Sequence, residues 1–192
     1  MSPREPTWPC PNVVPGMAPV AAILARTSET VLAVTGIRAY PAGFGFTLKL
    51  RLRNLAPRER RGFWPFPEFG HHHGRAWPAE ALRLSVEFAD GRSATNIEPA
   101  TIGTDGPDPD RLMLSDGPGT GLVASGSSPD RWGWDMEYRV RPLPPPGPLA
   151  FICAWPGRGI AASRAEVDGA AIREAAHAAV TLWPNDPYCG DD

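Results

Sequence analysis

Apolar and polar residues alternate along several stretches of the chain, most cleanly between Arg131 and Trp155. Trp132, Trp134, Met136, Tyr138 and Val140 fall on one side of an extended backbone. Gly133, Asp135, Glu137, Arg139 and Arg141 fall on the other. Leu149, Phe151, Cys153 and Trp155 repeat the spacing on a second run. A period of two is the mark of a strand with one dry and one wet face. The two runs predict a β-hairpin. Its connection, 142–147, is so proline-rich that it cannot donate ladder hydrogen bonds and must lie outside the sheet.

The same alternation recurs upstream. Phe44, Phe46, Leu48, Leu50 and Leu52 face inward, while Thr47, Lys49, Arg51 and Arg53 face outward. Leu82, Leu84, Val86 and Phe88 repeat the pattern against Arg83, Ser85 and Glu87. Asp90-Gly91 then signals a tight hairpin turn, with a returning strand over 92–97. Stretches 20–26 and 31–40 add two strands, with Gly36 as a bulge, and the first three strands read as a meander. Leu112, Leu114, Leu122 and Val123 supply one or two short edge strands. Near the end of the chain Asp168 is placed as an N-cap. The alanine-rich run that follows carries Ile172, Ala176, Ala179 and Trp183 at helical spacing, which predicts a helix over 169–183.

The expected fold is all-β: an antiparallel Ig-like β-sandwich of about eight strands, with one C-terminal α-helix packed on it. Residues 1–16 read as a flexible proline-rich tail and 17–183 as a single domain. Irregular segments at 54–80 and 98–129 interrupt that domain, and 126–129 resembles a linker. Residues 184–192 form an acidic tail.

Composition narrows the function classes. The net charge is -2, which argues against nucleic acid or anionic lipid as partners. Lys49 is the sole lysine among 19 basic residues; with abundant Ala, Gly and Pro, this reflects GC-rich codons more than selection for guanidinium chemistry. No stretch is long and apolar enough to span a bilayer, no leader peptide is recognised, and a cytoplasmic location is expected. The three cysteines form no regular framework. Cys153 is expected to be a small buried hydrophobe. Cys10 and Cys189 lie in proline-rich ends and can bridge only if those ends meet.

Candidate chemistry is sparse. Arg60, Arg61, Phe63, Trp64, Phe66 and Trp77 concentrate Arg and aromatics in the segment 55–80. Those residue types dominate protein interfaces, so the leading reading is a non-enzymatic interaction module that binds another protein through this segment. Glu68, His71 and His73 define a second reading: a metal-binding protein or metal-dependent enzyme, because alternate residues of an extended loop point the same way. A carbohydrate-binding sandwich is a third, by analogy of fold alone. Asp105, Asp108 and Asp110 lack the order of a calcium loop and read as a surface turn. Asp135 and Glu137 share a strand face with Arg139 and Arg141, which favours cross-strand charge pairing over acid–base catalysis. No catalytic residue and no cofactor is implied, and the oligomeric state is left open.

Residues 134–138, 142–149, Trp155-Pro156 and Gly159-Ile160 resemble a group of uncharacterised proteins from high-GC actinobacteria. The likeness spans about residues 18–183. It implies a lineage and carries no activity, cofactor or site residue.

Overall fold

The computed structural model describes residues 9–53, 78–96, 121–130 and 132–183. Within them the chain is mostly β, with twelve strands in three antiparallel sheets and one α-helix. The strands are β1 (Val13–Val14), β2 (Gly16–Ala18), β3 (Ala22–Arg26), β4 (Thr30–Tyr40), β5 (Gly43–Leu52) and β6 (Arg83–Glu87). They continue as β7 (Ser93–Thr95), β8 (Gly121–Asp130), β9 (Gly133–Arg141), β10 (Pro148–Trp155), β11 (Ile160–Asp168) and β12 (Val180–Thr181). The helix, α1, spans Gly169–His177 between β11 and β12.

The larger sheet runs β2-β4-β5-β9-β8, with β3 also paired to β4. β2 and β3 are consecutive segments on one edge of β4, against 37–39 and 31–34. Pro19 lies between them and has no N–H for a continuous ladder. The meander of β3, β4 and β5 forms as the alternation implies, and so does the bulge: the β4–β5 register shifts between Thr35 and Arg38. Gly36 sits there at φ 60°, a left-handed conformation that a side chain would strain.

The smaller sheet runs β11-β10-β6-β7. Its β6–β7 connection is the expected Asp-Gly turn, closed by Gly91 N–H donating to the Phe88 carbonyl at 3.0 Å. The apolar faces of both sheets contribute to one continuous core. Phe46 of β5 meets Phe151 of β10 edge-on, at 5.0 Å between ring centres, and stacks at 5.4 Å on Tyr138 of β9. Each such contact contributes about 0.5–1.5 kcal/mol beyond burial. The inward residues of β5, β6, β9 and β10 named from the pattern are buried, Cys153 among them.

The expected hairpin of 131–155 does not form. β9 pairs with β5 and β8 in the larger sheet, whereas β10 pairs with β6 and β11 in the smaller one. The proline-rich connector carries the chain from one sheet to the other. Two arms with the same period of two satisfy either arrangement, because periodicity specifies which face is dry and not which neighbour is paired.

Four further differences have local causes. β8 contains the edge strand expected at Leu122 and Val123 but runs from Gly121 to Asp130, through the supposed linker. It is an edge strand, where Pro129 and a register shift between Ala124 and Gly126 are tolerated. β11 was not anticipated; its inward positions Ser163 and Ala165 are too small or polar to raise the apolar signal. α1 ends at His177 instead of continuing to 183, because Val180 and Thr181 pair with β1. Residues 12–16 are not a free tail: Asn12 is buried and Val13 and Val14 pair with β12.

α1 packs on the end of the larger sheet. Asp168 caps it, its carboxylate accepting from the Ala170 N–H at 2.8 Å. Ile172, Ala175 and Ala176 form its buried face. Gly16 of β2 comes so close that an added Cβ would lie 1.7 Å from the Ala175 carbonyl oxygen, so only glycine permits this approach.

Candidate interaction surface

The outward face of the larger sheet carries an ordered set of charges. Strand register places Lys49 of β5 opposite Asp135 of β9, and Thr47 opposite Glu137. Lys49 Nζ donates to Asp135 Oδ2. Arg51 Nη2 lies 2.6 Å from Asp135 Oδ1. That oxygen has no well-aligned donor, so the Arg51 contact is ionic more than a directed hydrogen bond. Arg51 Nη1 also donates to the carbonyls of Leu50 at 2.9 Å and Trp134 at 3.2 Å, which fixes the guanidinium over the β5–β9 seam. One strand further, Arg38 of β4 pairs with Glu137 at 3.1 Å. Burial pushes the Asp135 carboxyl upward, but the contacts and charges of Lys49 and Arg51 outweigh it and hold the group below the ordinary aspartate value. The expected cross-strand pairing on a wet face is what this face shows.

At the end of this sheet the strand ladder gives way to the β8–β9 turn. Leu52 N–H donates to the Trp132 carbonyl at 2.8 Å, and Arg53 N–H donates to the Glu29 carbonyl at 2.7 Å. Trp132 is 56% exposed, and Arg53 is exposed beside it. The alternation assigns Trp132 to the core. It departs from that expectation because β9 begins at Gly133, which leaves Trp132 in the turn, outside the pleat.

The residues singled out from sequence lie beyond this corner. Arg60, Arg61, Phe63, Trp64, Phe66 and Trp77 are outside the described residues, and so are Glu68, His71 and His73. Their segment leaves the larger sheet at Arg53 and rejoins described structure at Pro78. There the Glu80 carbonyl accepts from Gly157 N–H at 3.2 Å. Asp105, Asp108 and Asp110 are likewise outside. Among the described residues no three His, Cys, Asp or Glu side chains are grouped to hold a metal ion. No helix among them is long and apolar enough to cross a membrane.

In the core, Cys153 Sγ lies 3.3 Å from Ser163 Oγ, which in turn donates to the Leu24 carbonyl at 2.6 Å. Burial raises the thiol's pKa, so the group is a poor nucleophile and serves packing. Trp132 is one of several exposed large apolar residues, with Met17 and Trp183, and its corner adjoins the start of the Arg- and aromatic-rich segment. No protein-family model, curated protein or solved structure matches the chain.

Proposed function

We propose that the chain is a non-catalytic interaction module, an Ig-like β-sandwich that binds another protein. Its contact surface starts at Trp132 and Arg53 and continues into the segment 55–80 with Arg60, Arg61, Phe63, Trp64, Phe66 and Trp77. The observation that carries this reading is the exposure of Trp132 (56%) at the end of the sheet from which the Arg- and aromatic-rich segment departs. An exposed indole forgoes much of the stabilisation that burial would provide, and Trp and Arg are the residue types that dominate binding hot spots. The reading places the protein in the cytoplasm and excludes nucleic acid, in keeping with its slight negative charge.

The test begins with cross-linking of the wild type to identify a partner, followed by titration calorimetry with that partner. Trp132→Ala and a Phe63/Trp64/Phe66 triple alanine variant should each weaken binding about 30-fold, the equivalent of a 2 kcal/mol hot spot. Unchanged affinity in both folded variants removes the reading.

A further inference from the structure

An aspartate followed by glycine can lose water to close a five-membered ring, because glycine sets no side chain beside the backbone nitrogen that attacks the carboxyl carbon. Two such pairs lie among the described residues, Asp90-Gly91 and Asp168-Gly169. Their surroundings differ. Gly169 is buried, and a Cβ added there would lie 2.6 Å from the Gly147 carbonyl oxygen, so its backbone has little room to turn. Asp168 is committed to capping α1. Asp90 and Gly91 are exposed at the tip of the β6–β7 hairpin, and nothing lies within 4 Å of a Cβ built on Gly91.

Arg92 grips this tip. Its N–H donates to Asp90 Oδ1 at 3.1 Å, and its Nε donates to Asp90 Oδ2 at 2.7 Å. Its Nη2 lies 2.7 Å from the same Oδ2. The guanidinium also sits over the Phe88 ring, 5.4 Å from the ring centre. Desolvation pushes the Asp90 carboxyl upward, but the hydrogen bonds and charge of Arg92 outweigh it and keep the group below the ordinary aspartate value. The attacking nitrogen is engaged as well, since Gly91 N–H donates to the Phe88 carbonyl at 3.0 Å.

We propose that Asp90-Gly91 is a site of isoaspartate formation and that the Arg92 clamp restrains it. In the first step the Gly91 nitrogen bonds to Asp90 Cγ. The Cγ–OH bond of the protonated carboxyl breaks, and the hydroxyl leaves with the amide proton as water. Water then adds to one carbonyl of the succinimide ring and breaks that carbon's bond to nitrogen. Opening at Cγ restores aspartate, whereas opening at the Asp90 main-chain carbonyl leaves isoaspartate. Water is the sole co-reactant. An ionised carboxylate held at both oxygens is the wrong form for the first step, because its oxygen is a poor leaving group. Isoaspartate lengthens the main chain by one carbon between β6 and β7. The turn then cannot keep both the Gly91–Phe88 bond and the 2.8 Å bond from Phe88 N–H to the Arg92 carbonyl. β7, three residues at the end of the smaller sheet, loses its register with β6, and the buried Ala94 loses its place in the core.

The test incubates wild type and Arg92→Met for weeks at neutral pH and cleaves both after Glu87 and Glu98. Electron-transfer fragmentation of peptide 88–98 then locates the product; Asp105 and Asp116 also precede glycine, so only this peptide is read. Isoaspartate at Asp90 should accumulate about 3-fold faster in Arg92→Met than in wild type, with Arg92→Lys, which keeps the charge without the fork, between them. Molar salt should speed the wild type and leave Arg92→Met unchanged, a comparison that holds even if the variant fails to fold. Wild type aged until it carries isoaspartate should lose hydrogen-exchange protection in residues 85–95 while β4 and β5 keep theirs. Equal rates in wild type and Arg92→Met, or a folded wild type as fast as synthetic peptide 88–98, overturn the clamp. Absence of isoaspartate at Asp90 from every sample overturns the site.

Discussion

On the outer face of the larger sheet one carboxylate sits between two cations: Asp135 between Lys49 and Arg51. On the outer face of the smaller sheet the signs are reversed. Arg164 of β11 sits between Glu87 of β6, at 2.8 Å, and Glu166 of its own strand, at 3.1 Å. The two triads use the same chemistry in different surroundings. The Asp135 side chain is 27% exposed, and Arg51 is anchored by two backbone carbonyls. The Arg164 side chain is 44% exposed and is held by the carboxylates of Glu87 and Glu166. Partial burial and a fixed guanidinium make the first triad a seam between β5 and β9, whereas water screens the second.

The largest effect should come from Asp135→Ala. It leaves Lys49 and Arg51 as neighbouring like charges on a half-covered face and should cost about 2 kcal/mol, read as a lowered urea midpoint. A loss below the error of the measurement would erase the distinction between the two faces. Lys49→Met removes one partner but keeps the Arg51 contact, so about 1 kcal/mol is expected in the same assay.

Acid titration sharpens the contrast. The folded pKa of Asp135 is lowered by Lys49 and Arg51 against the burial that raises it. A carboxylate depressed in the folded state stabilises the fold at pH values above its unfolded pKa of about 3.9 and loses that contribution as pH falls through its folded pKa. Asp135→Asn should therefore flatten the fall in stability below about pH 5 that the wild type shows. A matching slope in both proteins would assign the acid sensitivity to other carboxylates. The smallest effect belongs to Arg164→Ala. Its pKa is raised by hydrogen bonds to Glu87 and Glu166. The group is exposed, so melting should be indistinguishable from wild type at physiological salt.

The charged seam was legible in the sequence, since Asp135, Glu137, Lys49 and Arg51 occupy wet positions of alternating strands. Cross-strand pairing was expected too, but not which residues meet, because register is a property of two strands and each reads only its own pattern. Trp132 shows the opposite failure. Its spacing from Trp134 is that of a core residue, yet the strand starts one position too late to include it. The metal-site candidates Glu68, His71 and His73 and the proposed contact residues of 55–80 fall outside the described structure, so their role stands on sequence and on the stem at Arg53.

Within the alternating strands, the order of residues alone determined which side chains are dry. Phe46, Leu48, Met136, Tyr138, Phe151 and Cys153 are buried because their strands alternate, and a pleated backbone can hide only every second side chain. Tertiary structure decided the partners. β9 and β10 separated into different sheets, the edge strand β8 extended through the supposed linker by pairing with β9, and α1 stopped where Val180 and Thr181 could pair with β1. Each of these outcomes depends on hydrogen bonds between residues far apart in the chain, and such bonds leave no periodic trace in the segments that make them.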